Sequence, residues 1–246
     1  MTRLVRAEFT KLATTRLIYG MAAAMAAFAL LTVAANILGV EGAPPLAADS
    51  LPMFVAAPVT LLSGAALLLG ILGMSTEFRH QTVTQTFLVT PDRGRVVAAK
   101  LVAYPLAGIT LALSVLAFTA ALATAWLAAK GITPSFLDAR LGRVLLGAVL
   151  AAGLCGLVGV GVAALVRNQV AAQVGVAVWV LLIEGLLMSL LNAPSLGKWL
   201  PSAAAAALTN PGGAPLSRLA GTLLLAGYGL ALALVGTRLV VRRDIT

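Results

Sequence analysis

The sequence has few of the charged residues that a water-soluble domain carries on its surface. Only 10% of its 246 residues are charged, whereas 61% are hydrophobic, and a typical soluble domain has about 25% charged residues. The mean hydropathy is +1.03. Because so few charges cannot cover a water-facing surface, the composition predicts a protein of the lipid bilayer.

Cysteine and histidine are almost absent, with one of each. A single Cys155 excludes a disulfide framework and a thiol pair for a metal, and the lone His80 excludes an H-E-x-x-H motif. The chain also lacks the G-x-x-x-x-G-K-[ST] loop that cradles nucleotide phosphates, and the G-x-S-x-G motif of serine hydrolases. We therefore expect a chain that is no enzyme and binds neither a metal nor a cofactor itself.

The apolar runs predict one all-α transmembrane domain over residues 1–246. A bilayer needs about 20 apolar residues per helix, and runs of this kind occur six times. The first is longer than the apolar core of a cleaved signal peptide, so we expect it to be retained, and the third is long enough to tilt or project. The fourth is rich in glycine, which favours close helix packing. The predicted spans are about 17–39, 52–74, 97–127, 144–166, 170–192 and 216–241.

The net charge of +9 comes from basic residues that lie between apolar runs, not in a patch with aromatics. They are interpreted as topology determinants, and no nucleic-acid partner is expected. With the N-terminus inside, five Lys and Arg fall on outer segments: Lys130, Arg140, Arg143, Lys198 and Arg218. The other twelve fall on inner segments: Arg3, Arg6, Lys11, Arg16, Arg79, Arg93, Arg95, Lys100, Arg167, Arg238, Arg242 and Arg243. This bias predicts that both termini are cytoplasmic.

Two segments outside the spans have patterns of their own. In residues 1–16, Val5, Phe9 and Leu12 share one helical side while Arg3 and Arg6 point elsewhere. This favours an interfacial amphipathic helix. The alternative is a solvated basic N-terminal segment whose only role is to keep the N-terminus in the cytoplasm. Between the fifth and sixth spans, the apolar piece 199–208 is too short to cross a membrane, so it is interpreted as re-entrant or interfacial.

The longest polar interval, residues 74–100, follows the second span. It offers a polar surface at the membrane exit and a turn signal at Pro91, with Phe78, Val83 and Phe87 close to one helical side. Two interpretations stay open. The interval forms either a short transverse helix between the membrane and a soluble partner, or an ordinary charged connector.

Glu184 is the only acidic residue deep inside a predicted span. A charge at that depth costs about 3 kcal/mol unless it is paired, protonated or facing water. One interpretation makes it a structural hydrogen-bonding residue. The other places it on a polar pathway or against a partner helix.

In order along the chain, these features resemble the permease subunits of ABC-type-2 exporters in their six-span bacterial form. The residues that carry the resemblance are Arg6-Ala7-Glu8 with Lys11, the segment Glu77 to Pro91 with Ala99-Lys100, Glu184, and Leu200-Pro201 with the alanines that follow. The resemblance covers essentially the whole chain. Each motif is degenerate, and their order carries the resemblance.

The resemblance implies a dimer with a second permease copy or a paralogue in the plasma membrane. Each permease would dock on a cytoplasmic ABC ATPase, which alone binds ATP and magnesium. Separately from the resemblance, the apolar walls and the basic inner face favour a hydrophobic or amphipathic cargo. A cytoplasmic coupling helix after the second span would contact the ATPase through Glu77, Phe78, Arg79, His80, Gln81, Thr82, Gln85 and Thr86. The N-terminal helix would add a second contact through Arg3, Arg6, Glu8 and Lys11, and the piece between the last two spans would be a re-entrant element.

A stand-alone secondary transporter is the main alternative. In that interpretation Glu184 binds a proton or cation, and transport needs an ion gradient without any ATPase. An intramembrane enzyme is a third possibility, and the missing catalytic motifs argue against it.

Overall fold

The computed structural model describes residues 1–38, 46–79, 92–136, 138–166, 168–191, 194–209 and 216–242. Every regular element in these ranges is helical. The prediction of six membrane-length segments is confirmed, since six helical segments are long and apolar enough to cross a bilayer. The fold is therefore that of a multi-pass α-helical membrane protein.

Eleven α-helices make up the described part of the chain, with a π-helical turn at Trp179–Ile183 between α7 and α8. The helices are α1 Thr2–Thr14, α2 Arg16–Ile37, α3 Leu51–Ala56, α4 Val59–Arg79, α5 Arg93–Ala129, α6 Ala139–Val166, α7 Gln169–Val178, α8 Glu184–Leu191, α9 Pro194–Gly197, α10 Pro201–Thr209 and α11 Arg218–Arg242.

The span boundaries differ from the predicted ones in two ways. The second span is split into α3 and α4 around Pro58, because proline has no N–H to continue the helical hydrogen bonds. The helices also run past the apolar runs, since α4 continues to Arg79 and α5 begins at Arg93. The 37 residues of α5 make a helix about 55 Å long, so it has to tilt or extend beyond the hydrocarbon core.

Helix α6 is the centre of the bundle and packs against α4, α5 and α11. Its glycines allow these contacts. A Cβ atom on Gly159 would overlap the carbonyl oxygen of Leu67 in α4, and one on Gly70 of α4 would overlap the carbonyl oxygen of Gly156. Close backbone packing of this kind stabilises helix association in lipid, where the hydrophobic effect does not drive it. The glycine content of the fourth span thus has a packing explanation.

Two peripheral spans contrast with this core. In both α2 and the α7–α8 segment, only 11% of the most apolar window is buried. The α7–α8 segment exposes large apolar side chains such as Val174, Leu181 and Leu190. These two spans offer their surfaces to lipid or to another chain.

The segment between the last two spans contains the short helices α9 and α10. Helix α10 has nine residues, about 13.5 Å of rise, and cannot cross a bilayer. It packs against α6 and α11 and buries Ala204, Ala207 and Leu208. This piece is therefore part of the helical bundle.

The bundle has two distinct ends. At the first, here called the α1 end, α1 meets the end of α4 and the start of α5, and Arg79 Nη1 lies 3.4 Å from Gln169 Oε1. At the opposite end, here called the far end, the backbone N–H of Ser135 donates to the carbonyl of Ala48 over 2.9 Å. The connector after α5 therefore lies beside the one before α3.

The glycine contact between α4 and α6 can be tested by adding one methyl group. We expect Gly70→Ala to destabilise the protein by about 1–3 kcal/mol, because the new Cβ would press on backbone that cannot move without shifting a helix. Thermal unfolding of the purified protein in detergent measures the effect. Gly64→Ala in the same helix is the control, since no atom lies within 4 Å of the added Cβ there. Equal unfolding temperatures for both variants would contradict the assignment.

Candidate functional site

Four charged side chains meet at the α1 end, and we call them the ionic cluster: Glu8, Lys11, Glu77 and Lys100. Glu8 and Lys11 are three residues apart on α1, a spacing that puts two side chains on the same helical side. Glu77 lies in the last turn of α4 and Lys100 eight residues into α5. Since α4 approaches the α1 end and α5 leaves it, the two side chains reach the same level.

Lys100 is the centre of the ionic cluster. Its side chain is 1% exposed, and its Nζ lies 2.7 Å from Glu8 Oε2, 2.9 Å from the Gly73 carbonyl and 3.0 Å from Glu77 Oε1. An ammonium group has three donors, so these three acceptors satisfy all of them. The buried ammonium group is therefore fully hydrogen-bonded within the protein.

Lys11 closes the ionic cluster on its outer side. Its Nζ lies 2.7 Å from Glu8 Oε1 and 2.7 Å from Glu77 Oε1, while 49% of the side chain stays exposed. Partial burial lowers the pKa of the Lys11 ammonium, but the hydrogen bonds and charges of the two glutamates outweigh it, and the net pKa is raised above its ordinary value. Lys11 therefore stays charged throughout the neutral range.

Tyr104 covers the inner side of Lys100. The Lys100 Nζ lies 5.7 Å from the centre of the Tyr104 ring, within the range of a cation–π contact. The Tyr104 hydroxyl donates a long hydrogen bond of 3.4 Å to Glu8 Oε2. The ring occupies the space that a side chain at position 73 would need. Gly73 thus lets Tyr104 lie on the α4 backbone and leaves its carbonyl open to Lys100.

The two lysines and two glutamates of the ionic cluster balance in charge. Such a group is stable only as a set, because removing one partner leaves an uncompensated buried charge. The arrangement joins α1, α4 and α5 mechanically. Within the described ranges, no group of three His, Cys, Asp or Glu side chains could hold a metal ion.

The structure separates residues that the sequence analysis grouped. Glu8, Lys11 and Glu77 are brought together in the ionic cluster, whereas Arg3, Arg6 and Arg79 are exposed. The remaining predicted ATPase contacts lie outside the part of the chain that the structure describes: the side chain of Phe78, and residues His80, Gln81, Thr82, Gln85 and Thr86. Whether any of these residues contacts an ATPase stays a prediction.

Sequence reasoning missed Lys100 and Tyr104 as members of this site. A usable signal existed, because Lys100 falls inside the predicted third span and a charge there needs a partner. Glu77 is an acid at the same end, just past the end of the preceding antiparallel span. Nothing in the sequence pattern indicated Tyr104.

Glu184 forms a second polar site within the fifth span. Its side chain accepts a hydrogen bond of 2.8 Å from Trp179 Nε1 and another from the hydroxyl of Ser202. The π-helical turn makes the first contact possible: it bonds the Glu184 N–H to the Trp179 carbonyl and so places residues five apart over each other. The second contact ties this span to α10.

A cavity of about 370 Å³ adjoins Glu184 and is also lined by Lys198 and Met188. Glu184 itself is 4% exposed. Both of its carboxylate oxygens have donors, as the structural interpretation of this residue requires. The neighbouring cavity keeps a role in ion binding open to experiment.

Neither the protein-family models nor the curated proteins contain a match to its sequence.

The geometry of the ionic cluster predicts that Lys100 is needed for the stability of the protein. We expect Lys100→Met to lower the free energy of unfolding by about 3–5 kcal/mol, because two glutamates would then face only Lys11. Thermal unfolding in detergent, with size-exclusion chromatography to check homogeneity, measures the change.

Two further variants make the Lys100 test specific. Adding Glu77→Gln to Lys100→Met restores charge balance and should recover part of the lost stability. Lys130→Met, on an exposed lysine at the far end, should leave the unfolding temperature unchanged. If Lys100→Met unfolded at the temperature of the unmodified protein, the cluster would not contribute to stability.

Proposed function

We propose that this chain is the membrane permease subunit of an ATP-driven exporter of the ABC-2 type. It would reside in the plasma membrane with both termini in the cytoplasm and act as a dimer. A separate ABC ATPase would hydrolyse ATP, and the cargo would be hydrophobic or amphipathic. The observation that carries the proposal is the ionic cluster, which joins α1, α4 and α5 at the two points where the chain enters and leaves residues 80–91.

The position of these anchors supports force transmission. Residues 80–91 begin three positions after Glu77, and Lys100 follows them by nine. Glu77 and Lys100 are bonded to each other and, through Glu8 and Lys11, to α1. A push on residues 80–91 would therefore move the ends of α4, α5 and α1 together, as a coupling segment requires.

The geometry divides the predicted ATPase contacts into two roles. Glu77 is 8% exposed and engaged by both lysines, so we assign it to anchoring the coupling segment. Arg79 is exposed at the same end beside Gln169, where a docked protein could reach it. Arg3 and Arg6 lie on the exposed side of α1, where they suit a second contact or anionic lipid.

The contact between Glu184 and Ser202 supports the predicted re-entrant element. It links the fifth span to α10, which is packed against α6 and α11. In an exporter, this link would couple movement of the peripheral fifth span to the piece that closes the pathway. The carboxylate would then serve as a hydrogen-bond acceptor, and its ionisation would be dispensable.

Association with an ATPase is the direct test. The tagged chain, purified from its native membranes under mild detergent, should bring down a protein with ABC nucleotide-binding motifs. We expect Arg79→Ala to reduce its recovery about fivefold or more, since truncating an interface residue that contributes to binding costs more than about 1 kcal/mol.

Two controls make the Arg79 experiment interpretable. Gln169→Ala removes the internal contact of Arg79 but keeps its charge, and Lys130→Ala removes a charge at the far end. Both should retain the ATPase. If the unmodified chain carries no ABC ATPase, or all three variants lose it equally, the proposal is wrong.

Variants of Glu184 distinguish the exporter from the alternative, an ion-coupled carrier. The cavity beside this carboxylate is the observation that favours the carrier. Glutamine can accept from Trp179 Nε1 through its oxygen and donate to the Ser202 hydroxyl through its NH2 group. We therefore expect Glu184→Gln to leave stability and the ATP hydrolysis rate of the assembled complex within about twofold of the unmodified protein. Glu184→Leu, which loses both bonds, should lower the unfolding temperature. Proton flux through liposomes that contain this chain alone, abolished by Glu184→Gln, would instead support the carrier.

A further inference from the structure

A cavity of about 600 Å³ opens at the far end of the bundle, between α3, α4, α6 and the end of α10. Two arginines, Arg140 and Arg143, line it together with Thr60 and Thr209. Its size lies within the range of small-molecule sites, about 300–1,000 Å³. The cavity is separate from the ionic cluster and from the site of Glu184.

The two arginines are badly placed for the stability of α6. They lie three residues apart in its first turns, so their like charges share one side, and the positive helix N-terminus disfavours cations by about 0.3–1 kcal/mol each. The start of the helix is capped by Asp138, whose carboxylate accepts from the Arg140 N–H over 2.7 Å. Among the described residues, neither guanidinium forms an ion pair with an acid. Helix stability does not explain their presence.

The chemistry of the lining favours an anion with an apolar part. Guanidinium groups bind phosphate with paired hydrogen bonds, and the N-terminus of α6 adds a favourable field for negative charge. No acidic residue is among the described residues that line the cavity, and much of the remaining wall is apolar, including Met53, Val59 and Val144.

We infer that this cavity binds the phosphate group of an anionic amphiphile, with Arg140 and Arg143 holding the phosphate and the apolar wall receiving the chain next to it. The inference does not depend on a partner ATPase. A bilayer phospholipid and a free phosphate share the recognised group, and the experiment below distinguishes them.

Binding can be measured by native mass spectrometry on the purified full-length chain, titrated separately with phosphatidylglycerol, phosphatidylcholine and inorganic phosphate. We expect saturable binding of phosphatidylglycerol that weakens about tenfold or more in Arg140→Ala/Arg143→Ala. Lys130→Ala/Lys198→Ala removes the same charge from residues that do not line this cavity, and should bind as the unmodified chain does. Arg140→Lys/Arg143→Lys keeps the charge without the planar fork, so its affinity should lie between the two.

The outcomes separate the sources of the phosphate and the failure of the inference. Competition by inorganic phosphate at equal concentration would support the anion site and identify free phosphate as its ligand, whereas weak competition would identify the lipid. Equal loss in both alanine pairs, or equal affinity for phosphatidylcholine, would overturn the inference. Should the alanine pair fail to fold, the lysine pair still decides, since unchanged affinity there excludes paired guanidinium binding.

Discussion

The buried ammonium group of Lys100 is the interaction on which the organisation of the α1 end depends. A chain with so little charge places this cation among apolar helices, where it is tolerated only with complete partners. Those partners come from α1 and α4, and the Gly73 carbonyl is open to it because position 73 has no side chain. Desolvation thus explains why an N-terminal helix that could have lain loosely on the membrane is bonded to two spans.

Close backbone packing is the second constraint, and it divides the bundle into a core and a periphery. Glycines at the crossing of α4 and α6 bring those helices together, while α2 and the α7–α8 segment keep most of their surface uncovered. The ionic cluster is bonded to the core side of this division. Since only Thr15 separates α1 from α2, anchoring α1 also fixes where the peripheral first span begins. The peripheral first span is therefore attached to the core at one end.

Sequence reasoning predicted the coarse fold well because membrane thickness imposes the length of apolar runs. It located all six segments and the N-terminal helix, and it recognised that the piece containing α10 is too short to cross. It misplaced helix ends, since the polar residues from Thr76 to Arg79 continue α4 while hydropathy counts them as loop. The resemblance also grouped Glu8 and Lys11 with Arg3 and Arg6 as one contact surface, because it was applied to the N-terminal helix alone. Glu8 and Lys11 differ from Arg3 and Arg6 because they contact α4 and α5. Only the three-dimensional structure shows that these two helices lie beside α1.

The two ends of the bundle differ in whether their buried or cavity-lining cations are paired with acids. At the α1 end, Lys11 and Lys100 are neutralised within the protein by two glutamates. At the far end, Arg140 and Arg143 face a cavity whose described walls contain no acid. Net charge alone does not distinguish these cases, since both ends contribute to the same excess of basic residues. What differs is whether each cation is paired inside the protein, as Lys100 is, or exposed beside a cavity, as Arg140 and Arg143 are. In the closed ionic cluster both lysines are paired with carboxylates, whereas the two arginines at the far end keep their guanidinium groups accessible to an anion, so the two ends are suited to different tasks.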